Sequence, residues 1–295
     1  MYNSSDIKLQ NKQDAFSAMY LYVSRSILDL CGRRIGEGIC REAMRRAGRE
    51  SGRAQRKKFL EANIKTNLQT LFHCARDYVP DPRFRGAEIF NEEERHICEV
   101  YTCPMADFWN KHNGSKLGSF FCEEYHYARL LAFTDNVGQL CVSNTLTCPR
   151  DNFCRLSAFY REANLTEEAA KKSFAHCDPG YIAPESPADT DFADGIGRLT
   201  ISVYYYLLEA AEETCGAEGI AAVAEGLKQW AAQAISALTA QADHTLLPMD
   251  AEFVTRNFAL STHSASDPLW EGHTGHKARE LMQSLVLDVI VQAER

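Results

Sequence analysis

The sequence lacks any stretch that is long and apolar enough for a membrane span or a secretion signal. Its longest apolar runs, such as LVLDVIV near the C-terminus, fall far short of the roughly 20 residues that cross a bilayer. The N-terminus, MYNSSDIKLQNKQD, is polar and has no hydrophobic core of signal-peptide length. These absences predict a cytoplasmic protein without a membrane partner.

The sequence also lacks a net positive charge and the common nucleotide-binding and catalytic-serine motifs. The 295 residues carry a net charge of −8, and an acidic chain is poorly suited to non-specific nucleic-acid binding, which needs a cationic surface. No G-x-G-x-x-G fingerprint, P-loop or G-x-S-x-G elbow occurs. We therefore expect no nucleic-acid partner.

Cysteine, in contrast, is abundant. The eleven cysteines are odd in number, and without an export signal a disulfide framework is not expected. Seven of them lie between Cys98 and Cys177. This clustering weakens the explanation that all are small apolar core residues, but chemistry and core packing both stay open at this point.

The apolar pattern predicts a predominantly helical α+β fold, with two helical modules flanking a small antiparallel sheet of three or four strands. Segments 96–103, 139–147 and 153–161 alternate like strands, and the flanking regions have helical periodicity. The predicted divisions are an N-terminal helical module (1–80), a cysteine-rich α+β unit (81–175), a proline- and aspartate-rich linker (176–196) and a C-terminal helical module (197–295).

The two helical modules resemble each other in sequence. The segment YLYVSRSILDLCG (20–32) aligns without gaps on YYYLLEAAEETCG (204–216), so that a Cys-Gly pair ends both. This indicates either a partial duplication of the N-terminal module or convergence of two amphipathic helix pairs.

One helical segment, FFCEEYHYARLLAF (120–133), places Cys122 and His126 four residues apart and hence on one face. Cys154 follows the predicted hairpin turn PRDN, and Cys103 ends the first predicted strand. Such a set either binds a metal such as Zn²⁺ or supplies a thiolate nucleophile activated by His126. No C-x-x-C pair is present, so spacing alone leaves a metal site, a catalytic thiol and core packing open.

These segments resemble the L-2-amino-thiazoline-4-carboxylic acid hydrolase family over about residues 14–165. The shared pattern is a strand ending in Cys-Pro, a helix with Cys-x-x-x-His, a strand with a Thr-Leu core and an Asp-x-x-Cys turn. These features correspond here to Cys103–Pro104, Cys122 and His126, NTL (144–146), and Asp151 with Cys154. Two departures are Arg150, where the family usually has Gly, and an extra Cys148. The middle unit also looks like the small-molecule-binding domains of the vinyl-reductase type.

The resemblance implies a hydrolase that opens a small cyclic amidine or a related ring. Water adds to the ring carbon between nitrogen and sulfur, and the C–S bond opens. The implied catalytic set is Cys122, His126, Asp151 and Cys154. A divalent metal such as Zn²⁺ or Mn²⁺ is the candidate cofactor, and its implied ligands are Cys103, Cys122, His126 and Cys154.

The substrate of that family is a small anion, so cations and carboxylates are expected around it. Glu123 is a candidate for pairing with the amidinium, and Arg129 or Arg155 for holding the carboxylate. For each of these, a surface ion pair is the competing explanation. Five basic residues recur at every fourth position and therefore form one stripe along a helix: Arg41, Arg45, Arg49, Arg53 and Lys57. This stripe is either a cationic surface that attracts an anionic substrate or an ordinary solvated face of the helix.

Two other functions compete with the hydrolase. One is a non-catalytic small-molecule- or metal-binding domain that acts as a sensor or scaffold, and the other is a helical interaction protein whose cysteines are core residues. Apolar faces on both helical modules are compatible with a homodimer. His263 and the histidines of GHTGH (272–276) are better explained as residues of a surface loop than as a metal site.

Overall fold

The structure is a computed structural model, and it describes residues 4–74, 81–184, 195–258, 260–262, 264–270, 272–273 and 276–293. Its helices and strands are, in chain order, α1 (Ser4–Leu30), α2 (Arg33–Glu61), α3 (Leu68–Cys74), β1 (Arg85–Asn91), β2 (Arg95–Thr102), α4 (Pro104–Lys111), α5 (Ser115–Phe133), β3 (Gln139–Asn144), β4 (Cys154–Phe159), α6 (Glu167–Ser173), α7 (Gly195–Cys215), α8 (Ala217–Thr245), α9 (Ala251–Asn257), α10 (His276–Met282) and α11 (Asp288–Gln292). A π-helical turn, Gln283–Leu287, joins the last two helices.

Two long helical hairpins form the centre of the molecule. Helices α1 and α2 make the first hairpin and α7 and α8 the second, and α1 packs on α8 while α2 packs on α7. Their apolar faces share one hydrophobic core, in which Val23, Tyr204 and Val223 are fully buried. The predominantly helical α+β fold is thereby confirmed, and the two predicted helical modules contact each other directly.

The turns of the two hairpins are alike. Gly32 and Gly216 both have positive φ, +82° and +59°, and each directly follows a cysteine. A Cβ on Gly36 would lie 3.0 Å from the carbonyl oxygen of Ile27, and one on Gly219 would lie within 2.1 Å of that of Ala211. These are the close approaches that a duplicated hairpin would share. The duplication and the domain divisions stay predictions.

The sheet is antiparallel with the order β1-β2-β4-β3. Strands β2, β4 and β3 correspond to the three predicted segments, although β3 ends at Asn144, three residues earlier than expected. Cys98 of β2 faces Leu156, and Val100 faces Cys154. The sheet therefore brings the end of β2 beside the beginning of β4, where two of the candidate cysteines lie.

The close packing of α2 on α5 fixes the position of the candidate helix. A Cβ on Gly48 would lie 2.4 Å from the carbonyl oxygen of Tyr125, and one on Gly52 would lie 2.2 Å from that of Arg129. Only glycine permits such an approach of two helix backbones at these positions. Gly118 lies inside α5 and is buried.

The C-terminal region completes the core around the second hairpin. Trp270, Met282 and Val286 are buried against it. No helix among the described residues is long and apolar enough to cross a membrane. Residues 185–194 of the predicted linker lie outside the described residues, as do His263 and residues 274–275 of GHTGH.

Candidate active site

Three of the predicted cysteines meet where β2, α5 and β4 come together. Cys103 is the N-cap residue of α4, Cys122 lies on α5 and Cys154 opens β4. They are close enough that charge on Cys103 or Cys154 raises the pKa of Cys122. Cys103 and Cys154 are 7% and 9% exposed, whereas Cys122 is partly exposed, so solvent reaches the cluster mainly at Cys122.

The position of Cys103 follows from the local sequence. Its backbone is extended (φ −131°, ψ 112°), and Pro104, which lacks an N–H, is well suited to the first turn of the following helix. The backbone N–H groups of Met105 and Ala106 lie near its sulfur, although neither makes a cap hydrogen bond to it. Those donors favour the thiolate, but burial outweighs them and raises the pKa of Cys103 to about 12.

Hydrogen bonds between the NTL triplet and the Asp-x-x-Cys turn hold the loop between β3 and β4 in place. The Thr145 N–H donates to Asp151 Oδ2 at 2.9 Å, and the Asn144 side chain donates to Asp151 Oδ1 at 3.3 Å. The Leu146 N–H donates to Cys154 Sγ at 3.1 Å. The NTL triplet therefore holds both the carboxylate and the thiol of the Asp-x-x-Cys turn.

These hydrogen bonds assign different roles to the two ends of that turn. Asp151 closes the loop, and its carboxylate accepts from the Thr145 backbone N–H and from the Asn144 side chain. Cys154 has one backbone donor on its sulfur, which lowers the pKa of its thiol, while burial raises that pKa and prevails. Burial likewise raises the pKa of Cys122 well above its ordinary value. Because all three pKa values are raised, all three thiols are mainly protonated at neutral pH.

His126 is half-buried on the same helix as Cys122. Its ring lies edge-on to the rings of Phe121 and Tyr125, with centroids 5.9 and 5.7 Å apart. The i, i+4 spacing thus places it beside the aromatic residues of its own helix. Whether it acts on Cys122 stays a prediction.

The predicted substrate-binding side chains all have protein partners. Arg41 contacts Glu123 at 2.7 Å, and Arg155 contacts Glu99 at 2.9 Å. Arg129 donates to the side-chain oxygen of Gln55. Such contacts are those expected if these side chains only form surface ion pairs and do not bind a substrate. A substrate would have to displace them.

The basic stripe of α2 divides into two parts. Arg41 and Arg45 both bind Glu124, at 2.9 and 3.0 Å. The other three members of the stripe are Arg49, Arg53 and Lys57. Together with Arg56 they line a groove of about 410 Å³, which also contains the carboxylates of Glu61 and Asp135. This groove reaches Ala132, ten residues beyond Cys122 on α5, which is about 15 Å along the helix. This end of the groove is therefore farther from Cys122 than one small substrate reaches.

The predicted metal ligands do not form a ready metal site. In the described part of the chain, the donor atoms that gather in a group of three within 4.8 Å belong to Glu162, His176 and Cys177. The set Cys103, Cys122, His126 and Cys154 does not reach that spacing. Its binding of Zn²⁺ or Mn²⁺ stays a prediction, and no chemical step is derived through a metal there.

Two features of the site were not found from the sequence. Two of the donors on Asp151 and Cys154 are the backbone N–H groups of Thr145 and Leu146, which no side-chain pattern reveals. His176 and Cys177 fall within the predicted linker. Two adjacent residues of metal-binding types were the signal that could have identified them as candidate ligands. His273, expected on a surface loop, is instead 3% exposed and lies 3.2 Å from Glu50.

Comparison with known proteins adds one finding. Residues 9–146, slightly under half of the chain, match the model of the L-2-amino-thiazoline-4-carboxylic acid hydrolase family. The match confirms the resemblance over that range, which includes Cys103, Cys122, His126 and the NTL triplet but ends before Asp151 and Cys154. No curated protein and no solved structure matches the chain.

Proposed function

We propose that this chain, whose residues 9–146 match the L-2-amino-thiazoline-4-carboxylic acid hydrolase family, is a hydrolase that opens a small cyclic amidine or a related ring. The observation that supports the proposal most is the loop between β3 and β4. There the last matched residue, Leu146, donates its N–H to the sulfur of Cys154. The matched region thus donates a hydrogen bond to a thiol that lies after it in the sequence.

Cys154 is the best-placed nucleophile under this proposal. Its thiolate would attack the ring carbon between nitrogen and sulfur, and the ring C–S bond would break with the sulfur leaving as a thiol that takes up a proton. Water would then attack the same carbon, release the carbamoyl product and return Cys154 to its thiol form. The Leu146 N–H stabilises the thiolate at the start and at the end of this sequence.

We place the substrate carboxylate near the cysteines. The part of α5 that lines the cationic groove begins about 15 Å beyond Cys122, farther than a single small ring spans. Arg155 follows Cys154 on the same strand, so its side chain points to the opposite face of the sheet. Neither group therefore suits a substrate that is attacked by Cys154, and the groove would serve a separate anion.

A non-catalytic binding domain is the second candidate function. The raised pKa values of Cys103, Cys122 and Cys154 favour it, because protonated thiols are poor nucleophiles and behave as small apolar residues. Under this alternative the cysteine cluster would be core, and ligands would bind elsewhere.

An assay of ring opening separates the two candidates. The purified protein is incubated with L-2-amino-thiazoline-4-carboxylate, and N-carbamoyl-L-cysteine is measured by mass spectrometry. We expect turnover that falls by about 10³-fold or more in Cys154→Ala. Because burial raises the pKa of Cys154, kcat/KM should still be rising with pH above about 8.5.

The matched control is Cys141→Ser, which changes an exposed cysteine of the neighbouring strand β3. It should retain full turnover. If Cys154→Ala turns over like the wild type, the nucleophile is wrong. If the wild type binds the ring but never opens it, the binding domain is the correct function.

A further inference from the structure

We propose that Glu162, His176 and Cys177 bind a divalent transition metal, with Zn²⁺ the best fit, at a site separate from the cysteine cluster. Their donor atoms all lie within 4.8 Å of one another, and the three side chains are partly or fully accessible from solvent. The site lies outside the matched region and plays no part in the proposed hydrolysis.

Two short 3₁₀ turns bring these ligands together. Glu162 begins the turn Glu162–Asn164, and the turn Ala175–Cys177 carries the other two ligands. The Glu162 N–H donates to the side chain of Glu94 at 2.7 Å, which fixes the first turn to the end of the sheet. Phe174, fully buried, anchors the second turn. The ligands therefore stand on backbone that is already held in place.

The distances fit a metal site that needs only a small adjustment. His176 Nε2 lies 2.7 Å from Glu162 Oε2, as in a hydrogen bond. Ligands of a tetrahedral Zn²⁺ stand about 3.3–3.8 Å apart, because the bonds are about 2.0–2.3 Å long. Binding would thus replace the hydrogen bond and move the donor atoms by roughly 1 Å, which exposed side chains allow.

The choice of metal follows from the donor types. A thiolate, an imidazole and a carboxylate are ligands of Zn²⁺ and related transition metals, whereas Mg²⁺ and Ca²⁺ prefer oxygen alone. Three protein ligands leave a fourth position for water. A simple His–Glu ion pair would not require a cysteine at the same point.

A fourth residue supports the imidazole from its other side. Glu93 Oε2 lies 3.9 Å from His176 Nδ1, opposite the nitrogen that faces Glu162. A carboxylate behind the ring orients a metal-binding histidine and increases its basicity. Glu93 is held in turn by a hydrogen bond from Asn67 at 3.0 Å. Because 3.9 Å is longer than a hydrogen bond, Glu93 would have to approach the ring on metal binding to act as a positioning residue of this site.

Metal binding would fasten the segment after α6 to the sheet. That segment already contacts the loop before α3, because Asp178 binds Lys65 at 2.7 Å and Tyr181 donates to the carbonyl of Asn63. A metal would add a link from this segment to Glu162 at the end of the sheet. It would thereby raise the stability of the folded chain by an amount that grows with the logarithm of the free metal concentration above Kd.

Cobalt and zinc titrations of the full chain test the proposal. The protein is stripped with a chelator, kept reduced with a phosphine and titrated with Co²⁺, whose near-ultraviolet charge-transfer band reports a thiolate ligand. We expect one equivalent of Co²⁺ with that band, displaced by Zn²⁺, and a higher Tm with Zn²⁺. Cys177→Ser should abolish the band, and Glu93→Gln should weaken binding by about 10–100-fold.

The controls change an exposed cysteine and an exposed histidine elsewhere, Cys141→Ser and His244→Gln, and both should bind like the wild type. His176→Gln should lose the band while its melting curve without metal stays that of the wild type. A band that persists in both Cys177→Ser and His176→Gln would place the metal at another set of thiols. That result, or no binding at all, overturns the proposal.

Discussion

His96 shows how packing holds a titratable residue neutral. Its ring, 3% exposed, stacks on that of Phe72 with centroids 3.6 Å apart. Burial lowers the pKa of His96 to about 4. Glu88 lies 4.0 Å away and would favour the charged form, but its side chain is half exposed and water screens it. Burial therefore decides the protonation state.

The low pKa makes stability depend on pH in a defined direction. An unfolded histidine titrates near 6.5, so between about pH 6.5 and pH 4 the unfolded chain binds a proton that the folded chain does not. The free energy of unfolding should therefore fall by roughly 1–3 kcal/mol across that window. His96→Phe keeps the stacking and should remove this part of the decline, measured by urea unfolding at pH 7 and pH 5.

His244→Gln is the matched control for that experiment, since His244 is exposed on α8. It should leave the difference between pH 7 and pH 5 as in the wild type. An equally steep acid decline in His96→Phe would mean that His96 is protonated in the folded protein.

At the scale of elements, sequence patterns predicted three of the four strands. Strands β2 and β4 each contain two buried residues, and β3 alternates between exposed and half-buried residues. Strand β1 was missed because most of it is exposed and its burial does not alternate. It forms an edge of the sheet and contains Gly86, whose Cβ would lie 2.6 Å from the carbonyl oxygen of Glu99. Backbone pairing of this kind leaves no apolar pattern.

The candidate site stays a prediction. The resemblance selected Cys103, Cys122 and Cys154, which are near enough in the structure for their charges to influence one another. The pairing of Arg41 with Glu124 was not predictable, because the partners are 83 residues apart and only the packing of α2 on α5 joins them. Long-range ion pairs depend on the three-dimensional arrangement of the helices.

The close packing of α2 on α5 leads to a second prediction. A methyl group on Gly52 would lie 2.2 Å from the carbonyl oxygen of Arg129, which is backbone and cannot turn aside. Gly52→Ala should therefore push α2 and α5 apart and lower the free energy of unfolding by roughly 1–3 kcal/mol, as overpacked cores do. Urea unfolding at neutral pH measures the change.

Gly38 of the same helix provides the control. It is exposed, and a Cβ there would meet nothing within 4 Å. Gly38→Ala should stabilise the protein by about 0.5–1 kcal/mol, because alanine is the better helix former. If both substitutions stabilise, the two helices do not approach as closely as the structure indicates.

At the scale of the whole molecule, Glu50 joins three segments that are far apart in the sequence. It lies on α2, accepts a hydrogen bond from Ser202 of α7 at 2.6 Å and faces His273 Nε2 at 3.2 Å. Arg198 lies 3.9 Å away. Beside it is a cavity of about 20 Å³ with polar walls, enough for one water molecule. The carboxylate thus lies where the first hairpin, the second hairpin and the C-terminal region meet.

The last prediction concerns this junction. Burial raises the pKa of Glu50, but its contacts with His273, Ser202 and Arg198 outweigh burial, and the net pKa is lowered. A carboxyl group with a lowered pKa stabilises the fold above its unfolded pKa of about 4.3, and this contribution is lost as the pH falls through the folded value. Glu50→Gln should therefore be less stable than the wild type at pH 7, and the gap should narrow below about pH 4.

Glu225→Gln, on the outer side of α8, should match the wild type at both pH values because its nearest cation, Lys228, is 3.9 Å away and exposed. A gap that stays constant between pH 7 and pH 3.5 would show that Glu50 contributes through its shape and hydrogen bonds, and that its charge does not hold the two hairpins and the C-terminal region together.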